Sequence, residues 1–405
     1  MVTFDKENGV KVSPETEAST EKPAKSRISS KLALGNIIKG MLGPGCLAMP
    51  MAFKKKTKRM DYGELAYQSA NGSFAPVQKF GTLLRYLVNA SMIGLQMGIC
   101  CVQLIFVVTQ LTDLLALVMN PPSTDILFII TFPFFLAISS IYSIRAVSFI
   151  SMSANILLIL VLLSVLVKLL FLPSIDMWSA PFVTDFTGII TSAGSIVYAL
   201  EGQAIVLPIK NRMKYPEKMS GPFGVLSLGM LFVTTMYAST GALGYRAYGE
   251  RVQDTITLNF DDDWYGILIK VLFTVIVYAG FILQLYPVVD AIWPPIKAKI
   301  TASSGSHLKR LTVHLLVRYS LVVVVFIASA LIPNLHDMIP LVGSTAGMSI
   351  SLVFPPLLHI FIFAPKWEFK LSNAIAGLFD VFCILIGLFF AFVGFCVSMR
   401  KLIGA

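Results

Sequence analysis

Two apolar stretches long enough to cross a membrane are broken at their centres, and the residues at the breaks are those a small polar molecule would use. In "KGMLGPGCLAMP" (39–50) Gly43, Pro44 and Gly45 interrupt the run; in "YALEGQAIVLP" (198–208) Tyr198, Ala199, Leu200, Glu201 and Gly202 do so. A proline follows each break, Pro50 and Pro208. Backbone N–H and C=O groups in hydrocarbon must all find partners, so an interrupted helix is tolerated only where it is buried in protein or lines a wet cavity. The half-helix ends there offer unpaired N–H groups and a positive dipole to an anionic group such as an amino-acid carboxylate. Breaks at matching places in two halves of a chain point to a midplane substrate site in an inverted-repeat transporter. Glycines that merely allow close helix packing are the plainer reading, and two matching breaks weigh against it. Glu201 is the sharpest residue, because an ionisable group at membrane depth is functional by default. Its carboxyl is the proton-coupling candidate, or else a partner for freed backbone groups. Tyr198 and Leu200 are placed to shape a side-chain pocket, and as ordinary packing residues they would look the same.

Helices of membrane length must carry these breaks. The 405 residues are 56% hydrophobic and 13% charged, with a mean hydropathy of +0.77, against about a quarter charged in soluble domains. A ruler of about 20 residues per span gives ten candidates: 32–53, 84–112, 126–142, 147–171, 187–209, 222–245, 265–290, 311–333, 338–363 and 373–398. The net charge of +10 sits mainly in alternate short loops, "KNRMKYPEK", "KAKITASSGSHLKR" and "PKWEFK", whereas "MNPPSTD", "LPSIDMWSAPFVTD" and "IPNLHDM" carry no Lys or Arg. That is the pattern of membrane topology with the basic loops cytoplasmic, not of nucleic-acid binding. Arg246 and Arg251 break the alternation. Residues 1–31, polar and Pro-containing, read as a disordered cytoplasmic tail without a cleaved signal peptide, ahead of a transmembrane domain over 32–400. All five cysteines lie in apolar runs, so no loop disulfide is expected. Lys168, Lys270 and Asp113 fall near span ends, where snorkelling to the headgroups is the ordinary explanation. Asp290, His359 and Asp380 lie toward the opposite ends, where an inner gate is the sharper reading and packing the plainer one.

Four stretches, "KGMLGPGCLAMP", "ALEGQAIVLPIKNRMKYP", "GALGYRAYGERVQDTITLNF" and "IPLVGSTAGMSISLVFPPLLHIF", closely resemble the proton-assisted amino acid transporters of the amino acid/auxin permease superfamily. The resemblance covers nearly everything after residue 32. It implies an all-α polytopic membrane protein with an inverted-repeat, leucine-transporter-like fold, whose first and sixth helices are broken. It also implies symport of small neutral amino acids with protons, at plasma or lysosomal membranes. By the same alignment, residues 32–53 are the first helix and 187–209 the sixth. The family's first-helix histidine is Asn36 here, and Pro44 stands in the middle of its Gly-X-Gly break and removes one N–H, two departures that bear on proton coupling and not on the fold. Partners are then amino acids, protons and membrane lipid, with no nucleic acid. No metal or cofactor is expected, and His307, His314, His336 and His359 form no ligand or catalytic spacing, so an enzyme is not expected either.

The family's second helix has no counterpart, because "MAFKKKTKRMDYGE" runs from the first span straight into a basic loop. The flanks of that span, with Lys22, Lys25, Arg27 and Lys31 before it and Lys54, Lys55, Lys56, Lys58 and Arg59 after it, both ask for the cytoplasm. The leading reading is transport; the alternative is a non-transporting or regulatory splice variant lacking one helix.

Overall fold

A computed structural model describes residues 62–174, 185–202, 215–221, 223–302, 307–363 and 371–403, together with Val206, Lys210, Met213 and Pro365. Gly43, Pro44 and Gly45, the tail and the first span lie outside the described residues. Those described form helices with no strand: α1 (Tyr62–Asn71), α2 (Gly81–Ala116), α3 (Thr124–Ser139), α4 (Ile144–Phe171), α5 (Phe186–Ala199), α6 (Val225–Tyr248), α7 (Trp264–Ala302), α8 (His307–Leu331), α9 (Leu335–Val342), α10 (Phe354–Phe363) and α11 (Leu371–Ile403). Among the described residues, seven stretches are long and apolar enough to cross a membrane, with α9 and α10 counting as one. The predicted spans 126–142 and 187–209 yield described helices of only 16 and 14 residues, α3 and α5.

The outer faces are as apolar as the core. Ile129, Phe134, Leu160, Phe382, Leu385 and Phe392 are all exposed, a density that water would penalise and lipid accommodates. Inside, α2 and α7 pack along their lengths, Leu95, Cys100, Leu104 and Ile105 meeting Phe281, Ile282 and Leu285, with α3 and α8 completing the cluster. Phe135 is sandwiched edge-on by Tyr278 and Phe281.

Arginines close two helix ends. Helix C-termini leave four carbonyls without intrahelical donors, and in hydrocarbon these must be met. Arg318, 1% exposed, donates through Nη1 to the carbonyls of Ser139 and Ile141, each at 2.9 Å, and so caps α3. Arg246 donates to the Leu170 carbonyl at 3.0 Å, and at longer range to those of Leu169 and Leu172, capping α4. This accounts for one of the two arginines that broke the charge alternation: Arg246 serves a helix end.

The motif "TITLNF" is a plug. Gln110, fully buried on α2, donates through Nε2 to the hydroxyls of Thr255 and Thr257 at 3.1 and 2.8 Å. Asn259 closes the loop by accepting from Gln253 N and donating to Arg251 O.

Snorkelling is overturned for Lys270 and its partner Asp113. Lys270 is 1% exposed, with Nζ 2.6 Å from Asp113 and 3.0 Å from Asp262; an ammonium so enclosed needs the two carboxylates, since an unpaired charge at membrane depth is costly. Lys168 is held as well, 4.7 Å above the rings of both Phe260 and Tyr265 and 3.9 Å from Asp263.

Between Tyr62 and α2 the described residues hold no helix of membrane length. Residues 54–61 number eight, fewer than half of the roughly 20 a span needs, and from Tyr62 to Phe80 the structure holds α1, 10 residues long, and one turn, Ala75–Gln78. α1 buries Leu65, Ala66 and Ala70 against Leu84, Val88 and Leu358.

Candidate functional site

α5 begins at Asp185, whose Oδ1 accepts from Gly188 N at 3.0 Å. An N-cap of this type satisfies one orphan donor and favours a start there. The helix stops at Ala199: Leu200 N still reaches Ile196 O at 2.9 Å, but Glu201 N turns back onto Tyr198 O at 3.2 Å. The helix therefore ends within Tyr198–Gly202, where the break was expected. Tyr198, Ala199 and Leu200 are half-buried, whereas Glu201 and Gly202 are buried.

Glu201, 8% exposed, accepts a hydrogen bond from Ser351 Oγ at 2.8 Å. Ser351 lies 150 residues further on, in the stretch joining α9 to α10, and this stretch is not ordinary helix. Residues Gly343–Gly347 and Ser349–Val353 are wound as wide π turns, in which each N–H reaches back five residues instead of four; such turns are rare and frequent at functional sites. Hydroxyls from within supply bonds to the carbonyls: Thr345 Oγ1 donates to Leu341 O at 2.6 Å and Ser349 Oγ to Thr345 O at 2.9 Å. Side-chain donors of this kind compete with the backbone ladder and bend helices.

Close packing fixes the segment against its neighbours. A Cβ on Gly194 would lie 2.8 Å from Pro340 O, and one on Gly343 would collide with Gly194 O and lie 3.0 Å from the Tyr198 Cβ. α5 and the wide-turn segment thus touch backbone to backbone, which is the small-residue packing mode of membrane helices. On the other side, a Cβ on Gly387 of α11 would meet Leu352 and Val353 at 2.9 Å, and Gly394 abuts Ser344. Gly194 and Gly343 are therefore packing glycines, distinct from Gly202 just beyond the end of α5.

The structure brings together Tyr198, Glu201, Gly343 and Ser351. Whether Gly43, Pro44 and Gly45 join them lies outside the described residues. Asp290 is exposed, but His359 and Asp380 are not scattered: Nδ1 and Oδ2 are 2.6 Å apart. Ser351 and its wide turns were missed in the sequence. The signal was there in "GSTAGMSIS", a run of small and hydroxyl residues inside an otherwise bulky span. A cleft of about 730 Å³ flanks the same segment, walled by Ser91 and Gly94 of α2, by Thr345 and Ser349, and by Ala391 and Phe392 of α11. None of Tyr198–Gly202 lines it.

The family model for transmembrane amino acid transporter proteins matches residues 54–400. The chain belongs to this family. Among its relatives, the probable amino acid transporter skat-1 of Caenorhabditis elegans is 26% identical over 424 aligned residues, covering 92% of each chain. The amino acid transporter AVT3A of Arabidopsis thaliana is 27% identical over 408, covering 93% of this chain and 90% of its own. The proton-coupled amino acid transporter-like protein pathetic of Drosophila melanogaster is 33% identical over 174 residues, 42% of this chain and 35% of its own. Family membership makes the chain a multi-pass amino acid transporter protein and not an enzyme, and the all-helical architecture agrees with the fold that its sequence led one to expect.

Proposed function

We infer that the fold serves symport of small neutral amino acids with protons, across a plasma or lysosomal membrane. The substrate would be bound at Tyr198, Ala199, Leu200, Glu201 and Gly202 together with Gly43, Pro44 and Gly45. The observation that carries this reading is the buried Glu201 carboxyl, at the end of a helix that stops in mid-membrane, bonded at 2.8 Å to Ser351 on a second irregular helix. A carboxyl there can hold a proton in exchange for its hydroxyl partner, and the freed N–H groups beyond the break suit the substrate carboxylate. The name of the Drosophila relative supports proton coupling in the family at large. Binding of labelled glycine, alanine and proline to the purified chain at pH 5.5 and 7.5, wild type against Glu201→Gln, tests it. The pH dependence should disappear in the variant, and an unchanged dependence in a well-folded variant removes Glu201 from that role.

A second reading concerns how well this form transports. Both full-length alignments, of 424 and 408 positions, are longer than the 405-residue chain, so each relative carries residues that have no counterpart here. The family match begins at Lys54, directly after the predicted first span, and residues 54–80 hold no apolar run of the roughly 20 residues that a crossing needs. Loss of the second helix would set the basic flanks of 32–53 in conflict, and Lys39 adds up to about 3 kcal/mol against deep burial. On this reading the first segment dips in and returns at Gly43-Pro44-Gly45, both flanks stay cytoplasmic, and transport is poor or absent. One tag before residue 31 and another within 60–75, probed in intact cells, decide it: the same side supports the dip, and opposite sides refute it.

A further inference from the structure

A titratable pair joins the same irregular helix to α11. His359 of α10 and Asp380 of α11 meet at 2.6 Å, Nδ1 to Oδ2, with side chains 19% and 10% exposed. The imidazole also packs at 4.7 Å on the ring of Phe363. His359 lies eight residues beyond Ser351, with the end of the last wide turn and about one and a half turns of ordinary helix between them.

We propose that His359 and Asp380 form a second proton-binding site, coupled through the wide turns of residues 343–353 to the contact between Glu201 and Ser351. The proposal rests on the reading of Glu201 as a proton-linked residue. With one shared proton the pair is electrically neutral; without it, a net negative charge remains at membrane depth, where isolated charges are strongly disfavoured. Histidine is the side chain whose charge ordinarily changes between pH 5 and 8, so the proton is exchangeable once water reaches the pair. Among the described residues, the surrounding groups do not duplicate this role. α11 presents Cys383 one turn beyond Asp380. α1, on another face of α10, presents Tyr62 and Glu64, and Glu64 is engaged by Gln68 at 2.9 Å and by Arg85 of α2 at 3.6 Å.

The coupling is geometric. Each wide turn holds one residue more than an ordinary turn, so tightening the last one rotates all of α10 beyond it by about 100°. That rotation carries His359 away from Asp380, and it also moves Ser351, which lies within the turn, against Glu201. α11 holds the segment on the opposite side, at Gly387 and Gly394, so it is the fixed wall against which α10 turns. Protonation of the pair therefore favours the wound-out arrangement seen here and its release favours the tightened one.

The test is an NMR titration of the full chain in detergent with ¹³Cε1-labelled histidine, the His359 signal being assigned by its loss in His359→Gln. Over pH 4.5–8.5 the His359 signal should titrate. Asp380→Asn should change its midpoint by about one pH unit, a tenfold change in proton affinity. Ser351→Ala and Glu201→Gln should each change it by a measurable fraction of a unit. Ser351→Ala removes one oxygen and keeps the volume, so it guards against a variant that fails to fold. A His359 midpoint that ignores Asp380→Asn overturns the site; one that moves with Asp380→Asn but ignores both Ser351→Ala and Glu201→Gln overturns the coupling. Addition of alanine separates this from the proposed function. Alanine binding without linkage sinks this proposal alone, and linkage without alanine binding sinks the other.

Discussion

The two ends of the helix bundle bury charge in different ways. At the end bearing the acidic loops, Lys270 of α7 is enclosed between Asp113 of α2 and Asp262, a lysine and two carboxylates in a site whose partners are 35% and 60% exposed. At the end bearing the basic loops, a histidine meets a single carboxylate between α10 and α11. The lysine cluster fastens the two helices of the core to one another and to the loop before α7. The histidine pair joins an irregular helix to a peripheral one. The difference teaches that buried charge here marks two jobs: a clamp in which two carboxylates enclose one ammonium, and a latch in which one carboxylate meets one imidazole.

Neutralising the clamp should have the largest effect. Asp113→Asn with Asp262→Asn leaves the Lys270 ammonium enclosed without a counter-ion, at a cost of about 3 kcal/mol; fluorescence size-exclusion should show loss of the monodisperse peak, and adding Lys270→Met should restore most of it. No rescue would mean that the clamp acts through packing and not through charge. Gly343→Ala comes next. A methyl group there strikes the backbone of α5 at Gly194, an overpacking cost of about 1–3 kcal/mol that should lower the melting temperature and part Ser351 from Glu201. Gln110→Ala leaves the hydroxyls of Thr255 and Thr257 without their amide and should cost about 1 kcal/mol, with faster proteolysis in the loop 249–263 as the readout. Smallest of all is Arg85→Ala. Its ion pair with Glu64 is 3.6 Å long, with side chains 45% and 31% exposed, and such pairs contribute about 0.5 kcal/mol or less. A loss of stability larger than that of Gln110→Ala would contradict the ranking of buried over exposed polar contacts.

Much of this was legible in the sequence where hydrophobicity and length decide. The α2, α4, α7, α8 and α11 spans follow from runs of apolar residues and from the Lys- and Arg-bearing loops between them, and the stop of α5 at Leu200 was signalled by Glu201-Gly202. What stayed hidden depends on partners far along the chain. Nothing near Lys270 says that Asp113, 157 residues earlier, reaches it, so position near a span end suggested the headgroups. Arg246 looked like a topological exception because its target, the last carbonyls of α4, shows no side-chain signature. The wide turns at 343–353 are set by backbone contact with Gly194 and by hydroxyls folding back on carbonyls, neither of which has a fixed period.

The wound-out stretch between α9 and α10 also changes what this span tolerates in evolution. In a regular crossing helix, deletion of one residue turns the whole distal half by about 100° and presents the wrong face to every neighbour. A wide turn stores one surplus residue. Deleting Met348 or Ser349 would let the turn close into ordinary helix while His359 and the apolar face of α10 keep their bearings, so residues 343–353 should be the place in this span where single-residue length changes accumulate among relatives. The same economy makes the segment a natural site for drift in the helix's reach, one residue at a time, without redesign of either end.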